Sequence, residues 1–99
     1  MNIIEKNIDN LLKLCKKYKV SKLYVFGSSI TKNFNQKSDV DLLVTFNDVD
    51  LKHYADNYFD FKFSLEKVFN RKVDLIEEKA IKNPFFKQSI DKTKKIIYG

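Results

Sequence analysis

Ile4, Ile8, Leu11, Leu12, Cys15 and Tyr18 recur at steps of three and four, the spacing of one apolar stripe on a helix, and Asn2 is placed to cap its start. Residues 2–18 are therefore expected to form a single amphipathic helix. Cys15 lies on the stripe and reads as a core thiol, not a reactive one. The period then changes. Residues 22–26 are rich in β-formers and stop at Gly27, and residues 40–46 form a second such run around Asp41 and Thr45, which predicts two strands. From Leu51 onward, positions 51, 54, 55, 58, 65, 68 and 69 share one helical face, predicting a long helix that ends near residues 69–70. A third strand is expected over residues 73–76. Asn83 followed by Pro84 is a cap residue ahead of a proline at the first helical position, and it opens a lysine-rich last helix ending between residues 90 and 94.

The order helix, strand, short connection, strand, helix, strand, helix argues for an α/β (α+β) domain with a small three- or four-stranded sheet. With 99 residues and no linker, repeat or low-complexity tract, residues 1–99 are expected to form one domain. On the 51–69 helix, Phe59 and Phe63 lie on one flank of the apolar face and Phe61 and Val68 on the other. That arc is wider than one small sheet covers, so a flank of the helix, with Phe59 or Phe63 most exposed, is expected to join a homo- or hetero-oligomeric interface.

Composition narrows the chemistry. At 43% hydrophobic and 32% charged residues, with 2 Gly and 1 Pro, the chain is a packed domain and not a disordered one. No apolar stretch near Met1 or elsewhere suits a signal peptide or a membrane span, and Glu5 and Lys6 interrupt the start, so the expected compartment is the cytoplasm. One cysteine and one histidine, His53, are too few for a zinc site built on those residues, so any metal must be held by oxygen. His53 falls opposite the apolar face of its helix and reads as an exposed residue without a ligand.

The net charge of +6 is unevenly spread. Between residues 38 and 60, Asp39, Asp41, Asp48, Asp50, Asp56 and Asp60 face Lys52 alone, leaving that stretch at −5 and the remainder at +11. An acidic centre in a basic protein suits carboxylates that hold divalent cations beneath lysines that attract phosphate, and solvated helix faces would give the same balance. The lysines at 79, 82, 87, 92, 94 and 95 have no interleaved aromatic recognition motif, so they read as a solvated face and nucleic acid is the least favoured partner.

The informative stretch is LYVFGSSITKNFNQKSDVDLLVTF, residues 23–46. Asp39 and Asp41 stand two apart at the head of an apolar strand, and side chains alternate along a strand, so both point to one face. Two like charges forced together require a compensating cation or an open strand end, and magnesium is the obvious compensator. Asp74, set between Val73 and Leu75 in the third strand, would complete a three-carboxylate site if the strands are neighbours. Gly27 and Ser28 directly follow the first strand. Glycine permits a tight turn and close approach to a ligand, and the following amides with the Ser28 hydroxyl can form a phosphate-binding nest.

At these residues the chain resembles the nucleotidyltransferases of the DNA polymerase beta superfamily, specifically their minimal nucleotidyltransferase (MNT) domains. The family signature is Gly-Ser, ten residues, then Asp-x-Asp at a strand start. Gly27, Ser28, Asp39 and Asp41 match it without a gap, and Asp74 matches the third acid. The likeness runs from the first helix to the terminal Lys-Ile-Ile-Tyr-Gly. It implies a polymerase beta palm-like mixed sheet flanked by helices and two Mg2+ ions held by Asp39, Asp41 and Asp74, which are also the catalytic residues. Gly27, Ser28, Ser38 and Lys32 are then expected to bind the nucleotide.

The implied reaction is transfer of a nucleoside monophosphate, AMP from ATP, to an acceptor hydroxyl. Several MNT proteins are antitoxins that adenylylate a small helical HEPT toxin encoded beside them, which makes such a protein the expected partner. The chain departs from the pattern at Thr31 and Lys32, where family members often carry Arg-Gly. Lys32 offers a point charge there in place of a bidentate fork. The alternative function is a weak or inactive MNT-like module that neutralises its partner by contact. Retention of three mutually repelling acids favours the enzyme.

Overall fold

The computed structural model describes residues 2–27 and 39–99. Its elements are α1 (Asn2–Lys6), α2 (Ile8–Lys17), β1 (Val20–Phe26), β2 (Val40–Phe46), α3 (Leu51–Phe69), β3 (Val73–Glu77), a 3-10 turn (Glu78–Ala80), α4 (Pro84–Thr93) and β4 (Lys95–Tyr98). The strands form one mixed sheet in the order β3-β2-β1-β4. β1 runs antiparallel to both β2 and β4, whereas β2 and β3 are parallel, joined by α3 as the crossover that a parallel pair requires.

Strand alternation sorts the apolar residues onto two faces. Leu23, Val25, Val40, Leu42, Val44, Val73 and Leu75 form the first face and bury Leu11 and Cys15 of α2 with Phe61, Leu65 and Phe69 of α3. Phe26 and Leu43 lie on the second face beneath Ile90 of α4, with Tyr24, Ile76 and Ile81 packed around them. Coverage on both faces explains why β2 is apolar at consecutive positions and not only at alternate ones. Asn70 ends α3 in the left-handed conformation, at φ 52, and the Asn83 side chain caps α4 by accepting from the Phe85 and Phe86 amides at 2.9 and 3.3 Å. Among the described residues no helix is long and apolar enough to cross a membrane.

Three expectations need correction. The single helix over residues 2–18 is two helices. Asn7 breaks it at φ −113 and ψ 13, where its backbone N–H donates to Ile4 O at 3.1 Å and its side-chain amide donates to Ile3 O at 2.9 Å. A short amide side chain that competes for a backbone carbonyl favours such a break. Asn2 already belongs to the helix and does not stand ahead of it. The sequence allowed a fourth strand without placing it, and β4 is that strand, a short run in which Ile96, Ile97 and Tyr98 are β-formers. Finally, Phe61 lies at the centre of the buried face of α3, fully buried between Tyr18 and Phe46 at ring distances of 5.8 and 5.9 Å, whereas Leu51 is 92% exposed.

Cys15 is a core thiol as read. It is fully buried, and burial pushes its pKa up from 9.0 to about 12. Between those values the folded chain keeps a proton that the unfolded chain releases, so stability must fall as pH rises above 9.0. By pH 10 the loss attributable to the thiol is about 1.4 kcal/mol. Urea melts at pH 8 and 10 should show this loss in the parent and not in Cys15→Ala, and thiol reagents should label the parent only on unfolding.

Candidate active site at the head of two parallel strands

β2 and β3 begin at the same end of the sheet. The Val40 N–H donates to Lys72 O at 3.1 Å, which sets a register pairing Val40 with Val73 and Asp41 with Asp74. Asp41 and Asp74 are thus cross-strand neighbours on one face, on backbones about 4.8 Å apart. Asp39 precedes β2 by one residue and is exposed, and by alternation it belongs to the face of Asp41. The strand order therefore supplies the adjacency that the sequence left conditional.

Across the other edge of β2, Asp41 pairs with Phe26, so Gly27 is the residue beside it. Gly27 has φ +66, and a Cβ built on it would lie 2.6 Å from Asp41 Oδ2. The Asp41 carboxylate occupies the space that any other residue's side chain would need. Two residues farther along the same face, Leu43 and Ile76 pass under the cover of Ile90. The acids accordingly sit where the apolar cover gives way to water, with Asp74 exposed and Asp41 partly buried. Ser28, Lys32 and Ser38 lie outside the described residues.

As the side chains stand, no three His, Cys, Asp or Glu residues among the described ones converge closely enough to hold a metal ion. What the fold provides is the backbone arrangement, with Asp41 and Asp74 paired across adjacent strands and Asp39 at the entry to β2. An all-oxygen set of this kind matches a hard cation such as Mg2+ and suits soft metals poorly.

The outer edge of β3 is tied down on both sides of Asp74. Glu66 Oε2 accepts from the Val73 N–H at 3.0 Å, and the Tyr58 hydroxyl donates to the Leu75 carbonyl. Both contacts come from α3 and fix the strand that carries the third acid. Burial, and then the charges of Glu77 and Asp74, raise the Tyr58 pKa, so its hydroxyl stays a donor at neutral pH. Beside it runs an open groove of ≈ 440 Å³ between α3 and β3, lined by Tyr54, Tyr58, Phe59, Leu75, Glu77 and Ala80 among others. No motif marks these positioning residues. The only signal for Tyr58 was its place on the apolar face of the helix.

His53 is exposed, as read. Of the six lysines read as a solvated face, Lys79 is exposed and Lys94 half-buried, and each lies over an aromatic ring. Lys79 Nζ lies 4.3 Å from the Tyr54 ring centroid and Lys94 Nζ lies 4.4 Å from that of Tyr24.

The contact at Gly27 yields a prediction. Gly27→Ala introduces a Cβ into the left-handed region and into Asp41 Oδ2, so about 1–2 kcal/mol of stability should be lost, with the Asp41 carboxylate displaced. Chemical denaturation checks the first effect, and a diminished thermal response to magnesium checks the second. An alanine variant as stable and as magnesium-responsive as the parent would contradict the close approach.

The model of the polymerase beta nucleotidyltransferase family matches residues 9–99. A protein of Methanocaldococcus jannaschii, provisionally named a protein adenylyltransferase, is 37% identical over 75 residues, covering 76% of this chain and 74% of the relative. Among solved structures, a provisionally named minimal nucleotidyltransferase superposes with a TM-score of 0.77 at 23% identity, over 96% of this chain and 95% of the other. A complex of a tri-AMPylated Shewanella oneidensis HEPN toxin with its MNT antitoxin matches with a TM-score of 0.66 at 21% identity, over 96% of this chain and 71% of the other. At such identities the solved structures show the fold, a four-stranded mixed sheet with flanking helices. The family match and the sequence relative together show that the chain belongs to the polymerase beta nucleotidyltransferase family.

Proposed function

We propose that this protein transfers AMP from ATP to a hydroxyl group on a partner protein, with Asp39, Asp41 and Asp74 as its catalytic acids. The observation that carries this reading is the register of β2 on β3, which makes Asp41 and Asp74 neighbours on the face that Asp39 shares. The name of the Methanocaldococcus relative and the AMPylated toxin of the Shewanella complex support the same choice of donor and acceptor. By that analogy the partner is a small helical HEPT-type protein, and the setting is the cytoplasm, where ATP and magnesium are available.

The acceptor oxygen attacks the α-phosphorus, a new P–O bond forms there, and pyrophosphate departs. Two Mg2+ ions, when bound, lower the pKa of the attacking hydroxyl and offset the charge that grows on the triphosphate. Asp41 and Asp74, on adjacent strands, would hold the ions in common with Asp39, and Asp74 would face the acceptor and help take its proton. Gly27, with no side chain, lets the Asp41 carboxylate lie against the end of β1, where the following turn would receive the phosphates. Ser28, Ser38 and Lys32 would contact the phosphates.

The test incubates the purified protein and a small helical protein encoded beside it with α-labelled ATP, in magnesium and in EDTA. Magnesium-dependent label on a hydroxyl side chain of the partner is the expected result. A stable complex that never acquires label would overturn the transferase reading in favour of neutralisation by contact.

A further inference from the structure

A basic groove borders the three aspartates at the end of the sheet where β3 begins. Phe63, Glu66 and Lys67 of α3, with Asn70, Arg71 and Lys72 after it, line an open space of ≈ 550 Å³. Three cations against one acid leave the lining at +2, and Asp60 and Lys62 outside it offset each other. Glu66 Oε2 accepts from the Val73 N–H at 3.0 Å, so that carboxylate is committed to the strand, while Lys67 and Lys72 are exposed. The turn that presents Arg71 and Lys72 is fixed. Asn70 takes the left-handed conformation, and the amides of Asn70 and Arg71 both donate to Glu66 O.

Lys72 joins the groove to the candidate active site. Its carbonyl accepts from the Val40 N–H at 3.1 Å, so it stands beside the entry to β2, where Asp39 lies, and two residues ahead of Asp74. The strand order β3-β2-β1 sets the groove at the outer edge of β3 and the turn after Gly27 on the far side of β2, with Asp41 and Asp74 between them. On the transferase reading the donor phosphates belong to the Gly27 side, which leaves the groove to the acceptor. We infer that the groove holds an acidic segment of the acceptor protein close to the hydroxyl that is modified. Exposed lysines complement carboxylates there, and the magnesium ions offset the charge of the three aspartates, so the segment is not repelled at the site itself. α3 and the acids lie on opposite faces of the sheet, and the path round the start of β3 is one structural layer, roughly 10 Å, which an extended chain spans in about three residues. The recognised acids therefore stand about three or four positions from the acceptor hydroxyl.

Fluorescence anisotropy on the intact protein, with magnesium and a non-hydrolysable ATP analogue, tests this with a labelled peptide that carries one tyrosine and, three residues away, two adjacent glutamates. The same peptide with glutamines in their place should bind at least about tenfold more weakly. Lys67→Glu with Lys72→Gln should weaken the glutamate peptide by a similar factor and leave the glutamine peptide unchanged, and high salt should weaken the glutamate peptide on the parent. Both lysines are exposed, and unchanged circular dichroism verifies that the variant folds. Its rise in melting temperature with ATP and magnesium should match that of the parent, because neither lysine serves the donor. No binding by the parent, equal binding of the two peptides, a variant that binds as the parent does, or a variant that loses the ATP response would each overturn the inference. So would displacement of the peptide by oligothymidylate at lower concentration than by unlabelled peptide, which would assign the groove to nucleic acid. Peptide binding requires no chemistry. Its failure while labelled AMP still reaches the partner overturns the groove alone, whereas binding as expected with no transfer overturns the transferase reading alone.

Discussion

Asp39→Ala combined with Asp41→Ala is expected to abolish magnesium-dependent nucleotide transfer and leave the fold standing. Neither residue belongs to the apolar core, where Val40, Leu42 and Leu43 are buried, so their removal opens no cavity. Asp39 is exposed ahead of β2, and Asp41 abuts Gly27 at the edge of the apolar cover. Loss of both carboxylates deprives the proposed metal site of two of its three acids. Metal-derived stabilisation of a phosphoryl-transfer transition state is several kcal/mol, which corresponds to a rate loss of roughly a thousandfold or more. Stability in EDTA should change little or rise slightly, because a pair of like charges on one face is removed. Single-turnover rates with labelled ATP, set beside melting curves in EDTA and in magnesium, separate the two effects. Transfer at the parental rate by the double variant would refute the assignment of these acids.

Phe61→Ala should produce the largest loss of stability of any single change considered, about 3–5 kcal/mol. The side chain is fully buried, between the Tyr18 and Phe46 rings and within the first-face core. Truncation removes the transfer energy of the ring and leaves a cavity that a helix pinned at Leu65 and Phe69 closes poorly. Since small domains are stable by only about 5–15 kcal/mol, the variant should be near or past its unfolding midpoint at modest urea concentrations. Phe63→Ala on the exposed flank of the same helix should cost no more than about 1 kcal/mol in dilute monomer. Urea denaturation of the two variants side by side gives the comparison. Equal destabilisation would mean that Phe61 is not the centre of the helix contact.

The contrast between Phe61 and Phe63 shows where periodicity stops being informative. Val40–Phe46 and Leu51–Phe69 were legible to the residue, because a β-branched run between turn signals and a long helix with a clear start and stop are local patterns. So was the cap at Asn83, where one side chain and one proline decide the geometry. The rotational setting of α3 was not. An apolar arc with aromatics on both flanks has several faces of similar hydrophobicity, and the choice was made by Tyr18 and Phe46, which close around Phe61. The break at Asn7 turned on a side chain competing for one carbonyl, a contest that apolar spacing does not register.

For the candidate site the division is similar. Sequence alone placed Asp39 and Asp41 on one face, since alternation along a strand is dictated by the covalent chain. It also marked Gly27 as the turn after β1, though the reason no other residue fits there, the Asp41 carboxylate across the strand pair, is a tertiary contact. Whether Asp74 joined them depended on β3 lying beside β2 and in which register. Only the assembled sheet decides that, because strand order is settled by the packing of α3 over the first face and by the edge contacts from Glu66 and Tyr58. β4 belongs to the same class. Ile96, Ile97 and Tyr98 are β-formers, yet a run of four residues is too short to declare a strand by itself, and it becomes one because β1 presents an unpaired edge whose backbone groups need partners. The sequence by itself thus determined the elements and the chemistry of the acids, which are local properties, while the tertiary structure decided which of them meet.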